Sequence, residues 1–172
     1  MLSIIGSAMI ILSTTLVGFY YARGFSYRVK IIRDFQYALT MLQSEILYSS
    51  SPLIEALDYV GEKTDGNVGR FFKEFSKSLY KREVEGIQEG FTLTMNTYKK
   101  PLMLEGDEID TISSFLKSLE SSDSESQKTS FNITMKKFEA FEKRAEEIMN
   151  KNEKLYKYLG ICSGLLVVIV LI

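Results

Sequence analysis

A seven-residue period runs along the last third of the chain. Phe131, Phe138, Ala145 and Asn152 form one row, and Thr134, Phe141, Ile148 and Leu155 form a second row offset by three. Spacing of this kind lays one stripe along a helix. No Pro or Gly interrupts it from Phe131 to Leu155, and it runs directly into Tyr158–Ile172, a stretch with no charged residue. The pattern predicts one long helix whose first part packs in water and whose end enters a bilayer.

The opposite end has a similar character. Residues 1–22 carry no charged side chain, enough for one membrane span of about 20 residues. No Lys or Arg precedes the apolar run, so the expectation is an uncleaved anchor rather than a secretory signal. Tyr20 and Tyr21 suit an interfacial belt, and Arg23, Arg28, Lys30 and Arg33 follow. Positive charge of this kind stays inside, which places the N-terminus outside and the middle of the chain in the cytoplasm. The closing run is short, but counted from Leu155, with Lys157 snorkelling, residues 155–172 also make a span. Lys151, Lys154 and Lys157 again put positive charge on the cytoplasmic side.

Between the two ends the pattern is helical throughout. Phe25, Ile32, Leu39 and Ile46, joined by Phe35 and Leu42, predict a helix from Phe25 to Ser50. Pro52 is placed as the first residue of the next helix, which runs to Lys63. Asn67 is expected to cap a third helix with Val68, Phe71, Phe72, Phe75 and Leu79 on its inner face. A fourth is predicted from about Glu83 to Lys99, ended by Lys100-Pro101. Asp107 is expected to cap a fifth, from Glu108 to Leu119, and Ser121–Ser126 reads as a loop or a frayed helix start. No alternating strand pattern is present. The expected architecture is all-α: about six helices in a cytoplasmic bundle (23–154) between an N-terminal transmembrane helix (1–22) and a C-terminal one (155–172).

Charge and composition narrow the function. All 21 Lys/Arg and 22 Asp/Glu fall between Arg23 and Lys157, for a net charge of −1. That balance argues against nucleic-acid binding, which needs a basic excess. The single cysteine, Cys162, has no intrachain partner, and there is no histidine. Histidine-dependent triads and HExxH zinc sites are thereby excluded. There is no phosphate-binding glycine loop, and no catalytic residue, metal or cofactor is expected. Glu45 and Glu55 could form a carboxylate pair, but with no histidine and no pocket sequence they read as surface groups.

Gly160-Ile-Cys-Ser-Gly164 is a GxxxG pattern inside the last apolar run, and Thr14, Gly18 and Ala22 make a small-xxx-small series in the first. Both allow helix backbones to approach closely. Gly18, Gly160 and Gly164 are therefore candidates for packing the spans on each other or on a partner, and self-association of the chain is open.

Four separated stretches carry a family resemblance. They are Gly18-Phe-Tyr-Tyr-Ala22, Leu39-Thr-Met-Leu-Gln-Ser-Glu-Ile-Leu-Tyr48, Ser51-Pro-Leu-Ile-Glu-Ala56, and Lys151-Asn-Glu-Lys154 with Leu159-Gly160. In this order they resemble the stage III sporulation protein AB family of spore-forming Firmicutes, over essentially the whole chain. The resemblance implies a subunit of the channel complex between mother cell and forespore, in the mother-cell membrane around the forespore. Its helical body would be similar to the platform-protein domain of type II secretion and type IV pilus systems. The implied partners are a motor ATPase of the same operon (stage III sporulation protein AA), other membrane subunits of the channel, and lipid. Carried onto matching positions, Glu45, Tyr48, Glu55, Asn152 and Lys154 become candidate partner contacts. Pro52 suits a helix start, and Asn152 suits a register-setting place in the seam. A membrane-anchored helical adaptor relaying a conformational change is the alternative, and the short outer ends disfavour it as a receptor.

Overall fold

The structure, a computed structural model, describes residues 2–82, 84–121 and 123–171; the side chains of residues 2–5, 7, 8, 11, 120, 121, 157, 170 and 171 lie outside that description. The described residues form six α-helices and no strand: α1 (Leu2–Leu47), α2 (Leu53–Lys63), α3 (Gly66–Tyr80), α4 (Ile87–Leu102), α5 (Gly106–Ser121) and α6 (Ser124–Leu171). The expectation of an all-α protein ending in one long helix holds. The helix predicted from Phe25 is not a separate element, because α1 runs on through Gly24 without a break. One mid-helix Gly costs only about 1 kcal/mol against Ala, too little to stop a helix with apolar positions on both sides.

The chain divides into two compact units, one of residues 1–29 with 143–172 and one of residues 30–142. In the second unit α2 packs on α3, α3 on α4, and α4 on α5. Phenylalanines at helical spacing build its core. The fully buried Phe35 ring lies 5.9 Å from Phe71, 5.8 Å from Phe72 and 6.0 Å from Phe138, so α1, α3 and α6 meet there. Phe71 also meets Phe91 and Tyr98 of α4, and Phe115 of α5 stands edge-on to Phe131 at 4.7 Å. Each such ring stabilises the unit by roughly 1.5–3 kcal/mol through burial. Every apolar residue predicted for the inner face of α3 is buried or half-buried.

Several helix ends differ from the sequence reading. Pro52 is the N-cap of α2, not its first residue, and its carbonyl accepts from the Ala56 N–H at 2.9 Å. The cap of α3 is Asp65; Asn67 lies inside the first turn and donates instead to the Pro101 carbonyl across to α4. Glu83, the expected start of the fourth helix, lies outside the described residues, and α4 begins at Ile87. Pro101 does not end α4, which continues to Leu102 and stops at Met103 in a left-handed conformation (φ 51°). A proline without an N–H forfeits one bond in the ladder, and so close to the helix end the loss is small. At α5 the cap is not Asp107, because Gly106 and Asp107 already lie in the helix. The buried Glu108 reaches back to accept the Glu105 N–H at 2.7 Å, one half of a capping box. The polar run before α6 contains its cap: Asp123 accepts from the Ser126 N–H at 2.8 Å.

The seam of α6 holds over its first half only. Phe131, Thr134, Phe138 and Ala145 are buried, but Ile148 is 37% and Leu155 46% exposed. Ile148 and Leu155 belong to the first unit, the bundle unit having ended at residue 142.

Among the described residues no helix is long and apolar enough to cross a membrane. The predicted spans 1–22 and 155–172 fall partly on residues or side chains outside the description. Within it, both flanks are helix with exposed apolar side chains.

Candidate functional site

The first unit is built where the sequence places its small residues. A Cβ added to Gly18 would lie 2.7 Å from the Tyr156 carbonyl oxygen and 3.1 Å from the Gly160 Cα; one added to Gly160 would lie 3.0 Å from the Thr14 carbonyl oxygen. The backbones of α1 and α6 therefore touch at Gly18 and Gly160, which only residues without a Cβ permit. Gly164 is buried one turn further on, and Ala22 is buried on α1. Beside the crossing Tyr21 stacks on Tyr156 at 5.9 Å, and Phe25 meets the same ring at 5.6 Å. The hydroxyls of Ser13, Thr14 and Ser163 donate to carbonyls of their own helices, so none is left unsatisfied. The outward faces stay apolar: Leu12, Leu16, Tyr20, Leu166 and Ile169 are each more than 60% exposed.

The five candidate contacts are divided between the two units. Glu45, Tyr48 and Glu55 belong to the second unit, and Asn152 and Lys154 to the first. Glu45 is half-buried and holds the turn after α1: its carboxylate accepts from Ser51 Oγ at 2.8 Å and its carbonyl from the Ser51 N–H at 3.0 Å. Tyr48 is 78% exposed in that turn. Glu55 is exposed in the first turn of α2, where its charge suits the helix dipole. Asn152 donates to the Ile148 carbonyl of its own helix at 2.9 Å, and Lys154 is exposed. Three of the five are thus open to a partner, and two are engaged locally.

A feature of the second unit escaped the sequence reading. Glu55 and Asp58 of α2 and Lys73, Lys77 and Tyr80 of α3 line a cleft of about 360 Å³ between the two helices. Ser76 Oγ closes its floor by donating to the Ile54 carbonyl at 2.9 Å. Its signal in the sequence is a set of cations at helical spacing on the side of α3 opposite its apolar stripe. On α1, Arg33 Nε donates to Glu142 Oε1 of α6 at 2.5 Å, and this hydrogen bond is the largest cause holding the Glu142 carboxyl below its ordinary range. Asp123 is lowered in the same direction, first by the backbone N–H of Ser126. Among the described residues no group of three or more His, Cys, Asp or Glu could hold a metal ion.

The arrangement defines an all-helical bundle protein with an apolar two-helix unit closed on paired glycines. The chain belongs to the stage III sporulation protein AB family, which matches it over residues 3–172. It is 32% identical over 174 residues to stage III sporulation protein AB of Bacillus subtilis (strain 168), covering 99% of each chain. A solved structure of a stage III sporulation protein AB shares its fold, with a TM-score of 0.65 at 24% identity, over 72% of this chain and 97% of the other. The family resemblance read from the four sequence stretches is thereby established, and the chain is a sporulation protein.

Proposed function

We propose that the chain is a non-enzymatic membrane platform of the mother cell–forespore channel complex, and that its helical body docks a motor ATPase of the operon. The observation that carries the membrane part is the apolar exterior of the first unit. Isoleucine, leucine and tyrosine side chains face outward on both helices while the small residues face inward. Soluble monomers rarely expose contiguous apolar patches beyond a few hundred Å², so this surface calls for lipid or for the spans of other subunits. The charge-free residues 1–22 and 158–172 agree with that environment. Both termini would then lie outside and the bundle in the cytoplasm.

The docking part rests on the family and on a body that offers surface rather than chemistry. Tyr48, Glu55 and Lys154 are the exposed candidates for contact. Full-length protein in lipid nanodiscs, titrated with the ATPase in a calorimeter, tests it. Saturable binding together with altered ATP turnover is expected, and Tyr48→Ala should weaken it. Absence of binding would overturn docking and leave a scaffold that meets other subunits through its membrane helices.

A further inference from the structure

The exposed charges of α3 and of the two positions after it are mostly positive. Arg70, Lys73, Lys77, Lys81 and Arg82 are exposed there with one carboxylate, Glu74, whereas the whole protein carries −1. Lys73, Lys77 and Lys81 follow one another at i, i+4, so they share one stripe, and like charges at that spacing destabilise a helix. Relief is partial, because Glu55 and Asp58 share a cleft with Lys73 and Lys77. Lys77 reaches Glu74 only at 3.4 Å with both side chains half exposed, and among the described residues Arg70 and Lys73 have no ion-pair partner. The inner face already anchors α3 through Phe71, Phe72 and Phe75, so the bundle does not need the stripe. Conflict between a local rule and the fold is a mark of function.

Two further features surround the stripe. Tyr80, 78% exposed, stands on the same side as an aromatic anchor of the sort that dominates interfaces. A cleft of about 300 Å³ opens between α3 and α4, lined by Lys77, Lys81, Thr97 and Tyr98, with Leu93, 51% exposed, at its edge. A recessed, mixed lining suits a side-chain ridge better than a flat headgroup layer.

We propose that the outer face of α3 is a docking surface for an acidic protein segment, a helix presenting carboxylates every fourth residue to Lys73, Lys77 and Lys81. Tyr80 packs against the apolar stem of that segment. The inference supplies the partner chemistry for the docking reading above and rests on it for the partner's identity alone.

The test uses the full chain in phosphatidylcholine nanodiscs and a fluorescent acetylated (Glu-Ala-Ala-Ala)4 peptide, followed by anisotropy. Saturable binding is expected. It should weaken at least tenfold in Lys73→Glu/Lys77→Glu and weaken with added salt, but stay unchanged in Lys128→Glu/Lys136→Glu. Acetic anhydride labelling of Lys73 and Lys77 should fall when peptide is bound, a readout that does not depend on variants folding. Equal binding by the two double variants, or no protection, overturns the proposal. Displacement of the peptide by phosphatidylglycerol vesicles but not by phosphatidylcholine vesicles assigns the face to lipid and overturns it too. With the ATPase in place of the peptide, loss of binding in Lys73→Glu/Lys77→Glu supports both readings. Binding unaffected by that change leaves the platform standing and overturns this face. An ATPase that never binds, beside a peptide that does, overturns ATPase docking and supports the face.

Discussion

Gly18 and Gly160, 142 positions apart in the chain, touch backbone to backbone: the Cβ that Gly18 lacks would sit 3.1 Å from the Gly160 Cα. Both would have to move apart for any side chain. The pair therefore limits how closely α1 and α6 approach in the first unit, and the Tyr21–Tyr156 stack beside it depends on that approach.

Gly18→Val or Gly160→Val is expected to destabilise the first unit by roughly 1–3 kcal/mol, the usual cost of overpacking. Gly24→Ala is the control, because its Cβ would meet nothing within 4 Å. It should be neutral or stabilising by up to about 1 kcal/mol through helix propensity. Thermal unfolding in detergent, read by circular dichroism and by disulfide trapping of cysteines placed at positions 21 and 156, separates the two cases. Equal midpoints for Gly18→Val and Gly24→Ala would refute the close approach.

Gly69→Ala should be among the most damaging small substitutions in the chain. Its Cβ would fall 1.7 Å from the Thr64 carbonyl oxygen, where the tight link from α2 forces the two backbones together. The clash is with backbone, so no rotamer relieves it, and the helices must part. A loss of about 1–3 kcal/mol is expected, measured by urea unfolding of the full chain. Gly106→Ala, with nothing within 4 Å of its Cβ, is the reference.

Acid should weaken the bundle through two carboxylates. Glu142 is held low chiefly by the Arg33 hydrogen bond, and Asp123 chiefly by the Ser126 N–H. A folded-state pKa below the unfolded one gives stability that is present above the unfolded value and lost as pH falls through the folded one. With ordinary carboxylates near pKa 4, the thermal midpoint should be flat above about pH 5 and decline below about pH 4. Glu142→Gln should flatten part of the decline. Arg33 is 55% exposed, so a double-mutant cycle of Arg33→Ala with Glu142→Gln should give only about 0.2–1 kcal/mol at pH 7.

What the sequence determined by itself was the set of helices and their inner faces. Apolar residues at a 3.6-residue period have one low-energy arrangement, and Phe71, Phe75, Ile112 and Phe138 went inside where the pattern placed them. Gly18 and Gly160 lie where α1 and α6 touch, a contact that a missing side chain in an apolar helix permits. Caps and partners were not legible, because they are settled by atoms distant in the chain. Asn67 could cap α3 but donates to Pro101, on the next helix. The seam of α6 failed past Ala145, within the first unit, because a period in sequence does not say which helices are there to cover it. Only the tertiary structure decided that Gly18 meets Gly160, since either could have met another small residue. It also decided that Glu55 and Asp58 of α2 line a cleft with Lys73 and Lys77 of α3, since the pattern names the face a core will bury but not which helix lies beside it.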